Sequence, residues 1–268
     1  MRYFPEVAVH LRDYAGLMLT AGVDLAAENK GTALAVVDWS GPTATLTDLR
    51  LGVGDDAIAE AATTVDKLGI DCALGWPDEF VSFVVAHADH ESIDALSVDG
   101  GMDWRRTLAY RETDRDVRAK TGRWPLSVST DRLGLTAMRC AGLLARIQAR
   151  GVAVDRSGSG VVVEIYPGAS LRLWGFDTTG YRVSAAAREL LLTRVLDAAP
   201  WLDLQGHAEL MVRSGDAFDA VIAALASRSA ALGHYEPPPA QHLARARREG
   251  WTALPTNPLA ALISAPVE

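Results

Sequence analysis

The stretch AGVDLAAENKGTALAVVDW, residues 21–39, decides how the rest of the chain is read. An apolar run ends on Asp24, a polar connection with Asn29-Lys30-Gly31 follows, and a second apolar run starts at Thr32. Asn-Lys-Gly favours a tight reversal, so residues 17–24 and 32–39 read as a hairpin. TATLTDLRL, residues 43–51, alternates apolar and polar side chains after Ser40-Gly41-Pro42 and adds a third strand beside the second. The chain therefore opens with a three-stranded antiparallel meander.

At Asp55 the period changes. Ile58, Ala61, Ala62, Val65 and Leu68 recur at helical spacing behind two acids suited to a helix N-terminus, and Gly69 supplies the stop. IDCALGWP (70–77) is a short apolar strand ended by Pro77, and DEFVSFVVAHADHE returns to helical spacing. Residues 97–132, rich in Gly, Arg and Asp with little sustained apolar periodicity, read as a long, partly helical insertion or lid. A helix over 131–150 ends at Gly151, and GVVVEIYP (160–167) is apolar enough throughout to lie inside a parallel sheet. Helical patterns return at 184–199 and 214–232, the second closing on Gly233. Beyond it, the tail 233–268 contains Pro237-Pro238-Pro239, which cannot be helical, and reads as a surface connection. No internal repeat or linker between independent cores is evident, so residues 1–268 read as one domain. Meander, helix, strand, helix, strand and helices, in that order, describe an α/β protein with a mixed sheet and helices on both faces. The ribonuclease H-like fold has that order.

Composition narrows the function. With 26 basic against 34 acidic residues and net charge −8, a broad electrostatic grip on nucleic acid or anionic lipid is disfavoured, although a local basic patch is compatible with it. Cys72 and Cys140 form no CxxC pair, so neither a disulfide framework nor a thiolate metal site is indicated, and a reducing cytoplasm is the expected setting. The amino terminus lacks the apolar core of a secretion signal, and no run approaches the roughly 18 apolar residues that span a bilayer. A soluble, cytoplasmic protein is expected.

Most of the acids lie in polar contexts; five do not. Asp24 ends the first strand, Asp71 lies within IDCAL, Glu164 interrupts VVVEIY, and Asp216 and Asp219 sit three apart at the start of the last strong helix. A carboxylate in an apolar run is costly to desolvate unless it is paired, hydrogen-bonded or bound to a cation. Each has a plainer reading. Asp24 could cap its own hairpin, and Asp71 the turn that follows it. Glu164 could pair with an arginine of the insertion, and the helical pair could simply meet the helix dipole. In this fold, however, the first strand, the fourth strand and a late helix bring their ends together, so Asp24, Asp71, Asp216 and Asp219 are expected to converge. Oxygen-only ligands select Mg²⁺ or Mn²⁺, and two such ions about 4 Å apart activate water and stabilise a leaving phosphodiester oxygen.

At these residues the chain resembles the domain-of-unknown-function 429 family, grouped with predicted nucleases of ribonuclease H-like fold. The resemblance is carried by GVDLA (22–26), IDCALGWP (70–77), RETDRDVRAKTG (111–122), VVVEIYPGASLRLWG (161–175), GDAFDAVIAALAS (215–227) and EGWTALP (249–255), in that order. It implies an acidic site of Asp24, Asp71, Glu164, Asp216 and Asp219, with Arg111, Asp114 and Arg118 lining its mouth. Where the family pattern reads DAPLG this chain has DCALGW, with Ala73 in place of the proline, which puts the rigidity of that turn in question.

The expected function is a divalent-metal-dependent nuclease or phosphodiesterase acting on a nucleic acid or nucleotide, with Asp24 bridging the ions and no membrane partner. Two alternatives share the fold. One is a phosphotransferase of the sugar-kinase and actin-like class, because DLAAENKGT loosely resembles their opening phosphate loop without its early glycine. The other is a non-catalytic nucleotide-binding module using the arginines of 105–132, which are interleaved with Trp104 and Trp124 but diluted by five acids. HADH (87–90) lacks a third metal ligand at recognisable spacing, RSGSG (156–160) precedes a strand rather than a helix, and no G-x-S-x-G elbow is present.

Overall fold

A computed structural model describes residues 18–89 and 100–263. Its sheet has six strands: β1 (Leu19–Asp24), β2 (Ala33–Asp38), β3 (Ala44–Leu51), β4 (Lys67–Asp71), β5 (Val162–Glu164) and β6 (Leu202–Asp203). They lie in the order β5-β4-β1-β2-β3-β6. β1, β2 and β3 form the antiparallel meander, β4 adds in parallel to β1, and β5 in parallel to β4. This order and these directions agree with the ribonuclease H-like fold. β6, a two-residue strand parallel to β3, was not expected from the pattern.

Ten α-helices are described: α1 (Asp55–Thr64), α2 (Asp78–Ala88), α3 (Gly101–Ala109), α4 (Glu112–Thr121), α5 (Gly134–Ala149), α6 (Pro167–Leu173), α7 (Ala185–Ala198), α8 (Ala208–Arg213), α9 (Gly215–Ala231) and α10 (Leu243–Glu249). Alternation along β1 assigns the two faces. Ala21 and Val23 pack with Ile58 of α1 and Leu143 of α5 on one side. Thr20, Gly22 and Asp24 point the other way, toward α9. On that second side, Ala33, Ala35 and Val37 of β2 join Phe218, Val221 and Leu225 of α9 and Leu191 of α7. Helices therefore cover both faces. Among the described residues no helix is long and apolar enough to cross a membrane.

The contact between α9 and the sheet is close enough to exclude a side chain. A Cβ on Gly22 would stand 2.1 Å from the Ala224 amide nitrogen and 2.2 Å from the Ala220 carbonyl oxygen, and one on Gly69 would stand 2.3 Å from Ser227 Oγ. Polar side chains seal the same seam: Thr20 Oγ1 donates to the Ala224 carbonyl at 3.0 Å, and Ser227 Oγ donates to the Ala21 carbonyl at 3.0 Å. Buried hydroxyls are satisfied in this way without opening the packing.

Several boundaries differ from the sequence reading for physical reasons. β4 begins at Lys67 and stops at Asp71, not Pro77, and β5 is only three residues long. Apolar residues 72–74 are buried in a turn, where burial without alternation mimics a strand. The tail is the larger correction. Pro237 and Pro239 are exposed but Pro238 is buried, α10 follows, and Trp251, Thr252, Ala253 and Leu254 are buried. Thr252 bridges Glu164 in parallel, continuing the sheet beyond β5. The part of the insertion at 97–99, and His90 of the HADH stretch, lie outside the described residues.

These contacts separate two glycines by their surroundings. Gly22→Ala is expected to lower unfolding free energy by roughly 3 kcal/mol, because backbone rather than a yielding side chain meets the new methyl. Gly142→Ala, inside α5 with nothing within 4 Å of the added carbon, is expected to raise it by about 0.5–1 kcal/mol. Denaturant unfolding of the two variants checks both signs.

Candidate functional site

Asp24 and Asp71 end neighbouring parallel strands and are direct register partners, so both carboxylates leave the sheet on the α9 side at its C-terminal edge. Helix α9 is aimed at them. Ser214 caps it by accepting from the Ala217 amide, and the first two turns carry Asp216 and Asp219. Because Gly22 lets the helix touch β1, Asp219 is 2% exposed directly beside the strand ends. Asp24, Asp71 and Asp219 thus stand close enough to repel one another, with the less buried Asp216 also raising Asp24 and Asp219.

Their electrostatics follow from that crowding. Burial raises Asp24 well above the usual carboxylate range, and Asp71, Asp219 and Asp216 each push it further. Burial takes Asp71 up to about 7, with Arg182 pulling down and Asp219 pushing up. Asp219 is raised by burial to about 6 against the pull of Arg182 and a hydrogen bond from Tyr181. Asp216 is raised as well, again by burial. Asp24 accepts no side-chain hydrogen bond among the described residues, so the hairpin-cap reading finds no support.

Two residues at this site were not anticipated. The Arg182 guanidinium stands between the acids, 3.0 Å from Asp219 Oδ2 and 3.5 Å from Asp71 Oδ2. Its Nε donates to the Tyr181 hydroxyl at 3.2 Å, and that hydroxyl donates to Asp219 Oδ1 at 3.0 Å. Arg182 nonetheless keeps 55% of its side chain exposed. Behind it, buried Arg188 donates to the carbonyls of Tyr181, Arg182, Val212 and Arg213, tying the arginine loop to the entry of α9. No local pattern in GYRVS marks Arg182, since it reaches Asp71 across 111 residues of sequence.

Glu164 follows the other course open to it. Both its oxygens pair with Arg111, at 2.7 and 2.8 Å, and they also accept from the Leu74 amide and the Thr252 hydroxyl. Arg111 spends all five guanidinium hydrogens on Glu164, Asp114 and the Glu249 carbonyl. Asp114 additionally accepts from the Arg111 amide at 2.8 Å, closing the first turn of α4. All three side chains are at most 5% exposed. Glu164 is therefore a partner of Arg111, and Arg111 has no donor in reserve for a substrate, although Arg111, Asp114 and Glu164 all border the cavity beside the acids. Arg118 is exposed on α4 and does not border the cavity beside the acids. The Leu74–Glu164 bond holds the turn after Asp71.

Glu249, 1% exposed, belongs to the same structure. It accepts from the Asp78 amide, the Glu112 amide and Arg245 Nε, so one buried carboxylate serves the N-termini of α2 and α4. Cys72 and Cys140 are both buried free thiols, and contact with Cys140 together with burial pushes the Cys72 thiol up, away from nucleophilic use.

Among the described residues no three His, Cys, Asp or Glu side chains already close on a single point. The donor set nevertheless fits a hard dication in kind: the candidate donors are carboxylate oxygens, and Asp24 and Asp71 are partly accessible and are both raised by burial and by like-charged neighbours.

Two predictions follow from this charge distribution. Arg111→Met strands Glu164 and Asp114 and is expected to cost about 3–5 kcal/mol of stability in denaturant unfolding. Asp71→Asn is expected to act oppositely. A carboxyl whose folded pKa is raised to about 7 binds more protons folded than unfolded, so its ionisation erodes stability as pH climbs from about 4 to 7. The asparagine variant should therefore exceed wild type by more than about 1 kcal/mol near pH 8, and that margin should shrink toward pH 5.

Comparison with known proteins identifies a family for the chain. No curated protein and no solved structure matches the chain. The model of the family described as Protein of unknown function (DUF429) matches residues 22–243, a span that contains all four converging aspartates, and the chain belongs to that family.

Proposed function

We propose that the chain is a divalent-metal-dependent phosphodiesterase or nuclease, with Asp24, Asp71, Asp216 and Asp219 as the acidic centre. The observation that carries the reading is the register pairing of Asp24 with Asp71 beneath the first turns of α9. Like charges gathered at a partly open sheet edge are destabilising by themselves, and such placement is characteristic of working sites. A cytoplasmic setting belongs to the same reading, in keeping with two free thiols.

Asp24 and Asp71 would hold Mg²⁺ or Mn²⁺ with Asp219, and Asp216 would contribute from the rim. When bound, the ion supplies Lewis-acid polarisation of a phosphoryl oxygen and activation of water. The protein's own part is orientation. Tyr181 holds Asp219 by its hydroxyl, and Arg188 holds the loop that carries Tyr181 and Arg182. Arg182, released from Asp71 and Asp219, has its fork of donors available for phosphate oxygens on the exposed side of the site.

The phosphotransferase alternative gains nothing from the opening hairpin. Arg139 fills that loop, donating to the Ala26 carbonyl, Thr32 Oγ1, Asn29 Oδ1 and Asp55 Oδ1, while the Ala26 amide is taken by Thr32. Few groups remain there for a phosphate.

Calorimetric titration with Mn²⁺ tests the reading. Wild type is expected to bind, Asp24→Asn to weaken binding by at least about tenfold, and equal binding by the two would sink the proposal. Affinity should climb between about pH 5.5 and 7.5, because Asp219 and Asp71, raised to about 6 and about 7, must lose protons to bind a cation. Arg182→Gln should tighten Mn²⁺ binding severalfold, since it removes the positive group that already occupies the acids.

A further inference from the structure

The acidic edge is the floor of a cavity, not an open shelf. A cavity of about 370 Å³ is bordered by Asp24, Asp71 and Arg182 on one side and by Val117, Leu126 and Leu133 on the other. The second wall comes from α4 and the chain leading into α5, that is, from the insertion. It cannot withdraw cheaply: Arg111 and Asp114 root α4 in the sheet through Glu164, and Thr113 Oγ1 accepts from the Thr252 amide at 2.8 Å. Ligand pockets span about 300–1,000 Å³, so this volume suits a small ligand.

We propose that the cavity admits a phosphate ester about the size of one nucleotide and excludes a nucleic-acid duplex; the proposal rests on the reading of the acidic site given above. Three features of the lining recognise such a molecule. Leu126, 47% exposed, together with Val117 and Leu133 offers an apolar wall for a planar base. Tyr166, half-buried at the same cavity, supplies an aromatic surface of the kind on which bases stack. Arg132, exposed at the lip, and Arg182, beside the acids, supply two guanidinium groups for the phosphate. A duplex carries its phosphates on a convex ridge and needs an open, basic approach. Here the insertion wall faces the acids, and the chain as a whole carries net charge −8.

Binding of thymidine monophosphate, measured by calorimetry with and without Mn²⁺, tests the proposal. Wild type is expected to bind it, and Leu126→Trp, which fills the cavity from the wall opposite the acids, should weaken it by at least about tenfold. Arg132→Gln, a change at an exposed position, should weaken it severalfold while leaving the fold intact. A short DNA duplex should fail to displace the nucleotide. Failure of wild type to bind, unchanged affinity in Leu126→Trp, or displacement by the duplex would each overturn the proposal. Mn²⁺ titration of Leu126→Trp keeps the two readings separate: the variant should bind the ion as wild type does, so loss of the nucleotide with the ion retained concerns the cavity alone.

Discussion

The gathering of acids at the end of the sheet depends on one close approach, that of helix α9 to strands β1 and β4. The glycines at 22 and 69 remove the side chains that would hold a helix at its usual distance from a sheet, and Thr20 and Ser227 bond across the seam. The helix is thereby set by backbone contact. Its N-terminal turns project past the strand ends, where Asp216 and Asp219 meet Asp24 and Asp71. Had the helix been held off by ordinary side chains, the acids of the helix and the acids of the sheet would stand in separate layers.

The same end of the sheet carries two charge clusters with opposite character. Around Arg111 every guanidinium hydrogen is used and Glu164 accepts four bonds, with Thr252 and the Leu74 amide sealing the cluster. Such a network is costly to assemble and costlier to break, and its effect is to fix the insertion in one position. Around Asp24 the balance is uneven: four carboxylates share one half-exposed arginine, Arg182, and the more distant Arg188. Adjacent strand ends thus separate a cluster of paired charges from one of crowded, like-charged carboxylates. Counting donors and acceptors distinguishes them, whereas burial alone does not, since Glu164 and Asp219 are both almost fully covered.

The fold was largely legible because its decisive signals are local. A polar reversal between two apolar runs, an alternating third strand and a switch to helical period at Asp55 are properties of neighbouring residues, and the meander and the long helices follow from them. Asp24, Asp71, Asp216 and Asp219 were legible for a related reason: a carboxylate at the end of an apolar element stands out wherever that element goes. Glu164 stood out equally, and the sequence could not decide between a cation and Arg111, because the choice depends on a partner 53 residues away. Arg182 gave no signal at all, being one arginine among many on a loop. Short elements such as β6, α6 and α8 escaped because two to seven residues contain too little of a period to recognise.

The segment 249–254 has a consequence for how the molecule is assembled. Glu249 serves the amide ends of α2 and α4, the Glu249 carbonyl takes a hydrogen of Arg111, and Thr252 completes Glu164. Yet the family match stops at residue 243. During synthesis, helices near residues 78 and 112 and the glutamate at 164 emerge long before the stretch that satisfies them. The nascent chain must carry these groups in water until the last strip arrives, and a fragment trimmed to the family boundary would keep the four aspartates but lack the piece that closes the wall opposite them.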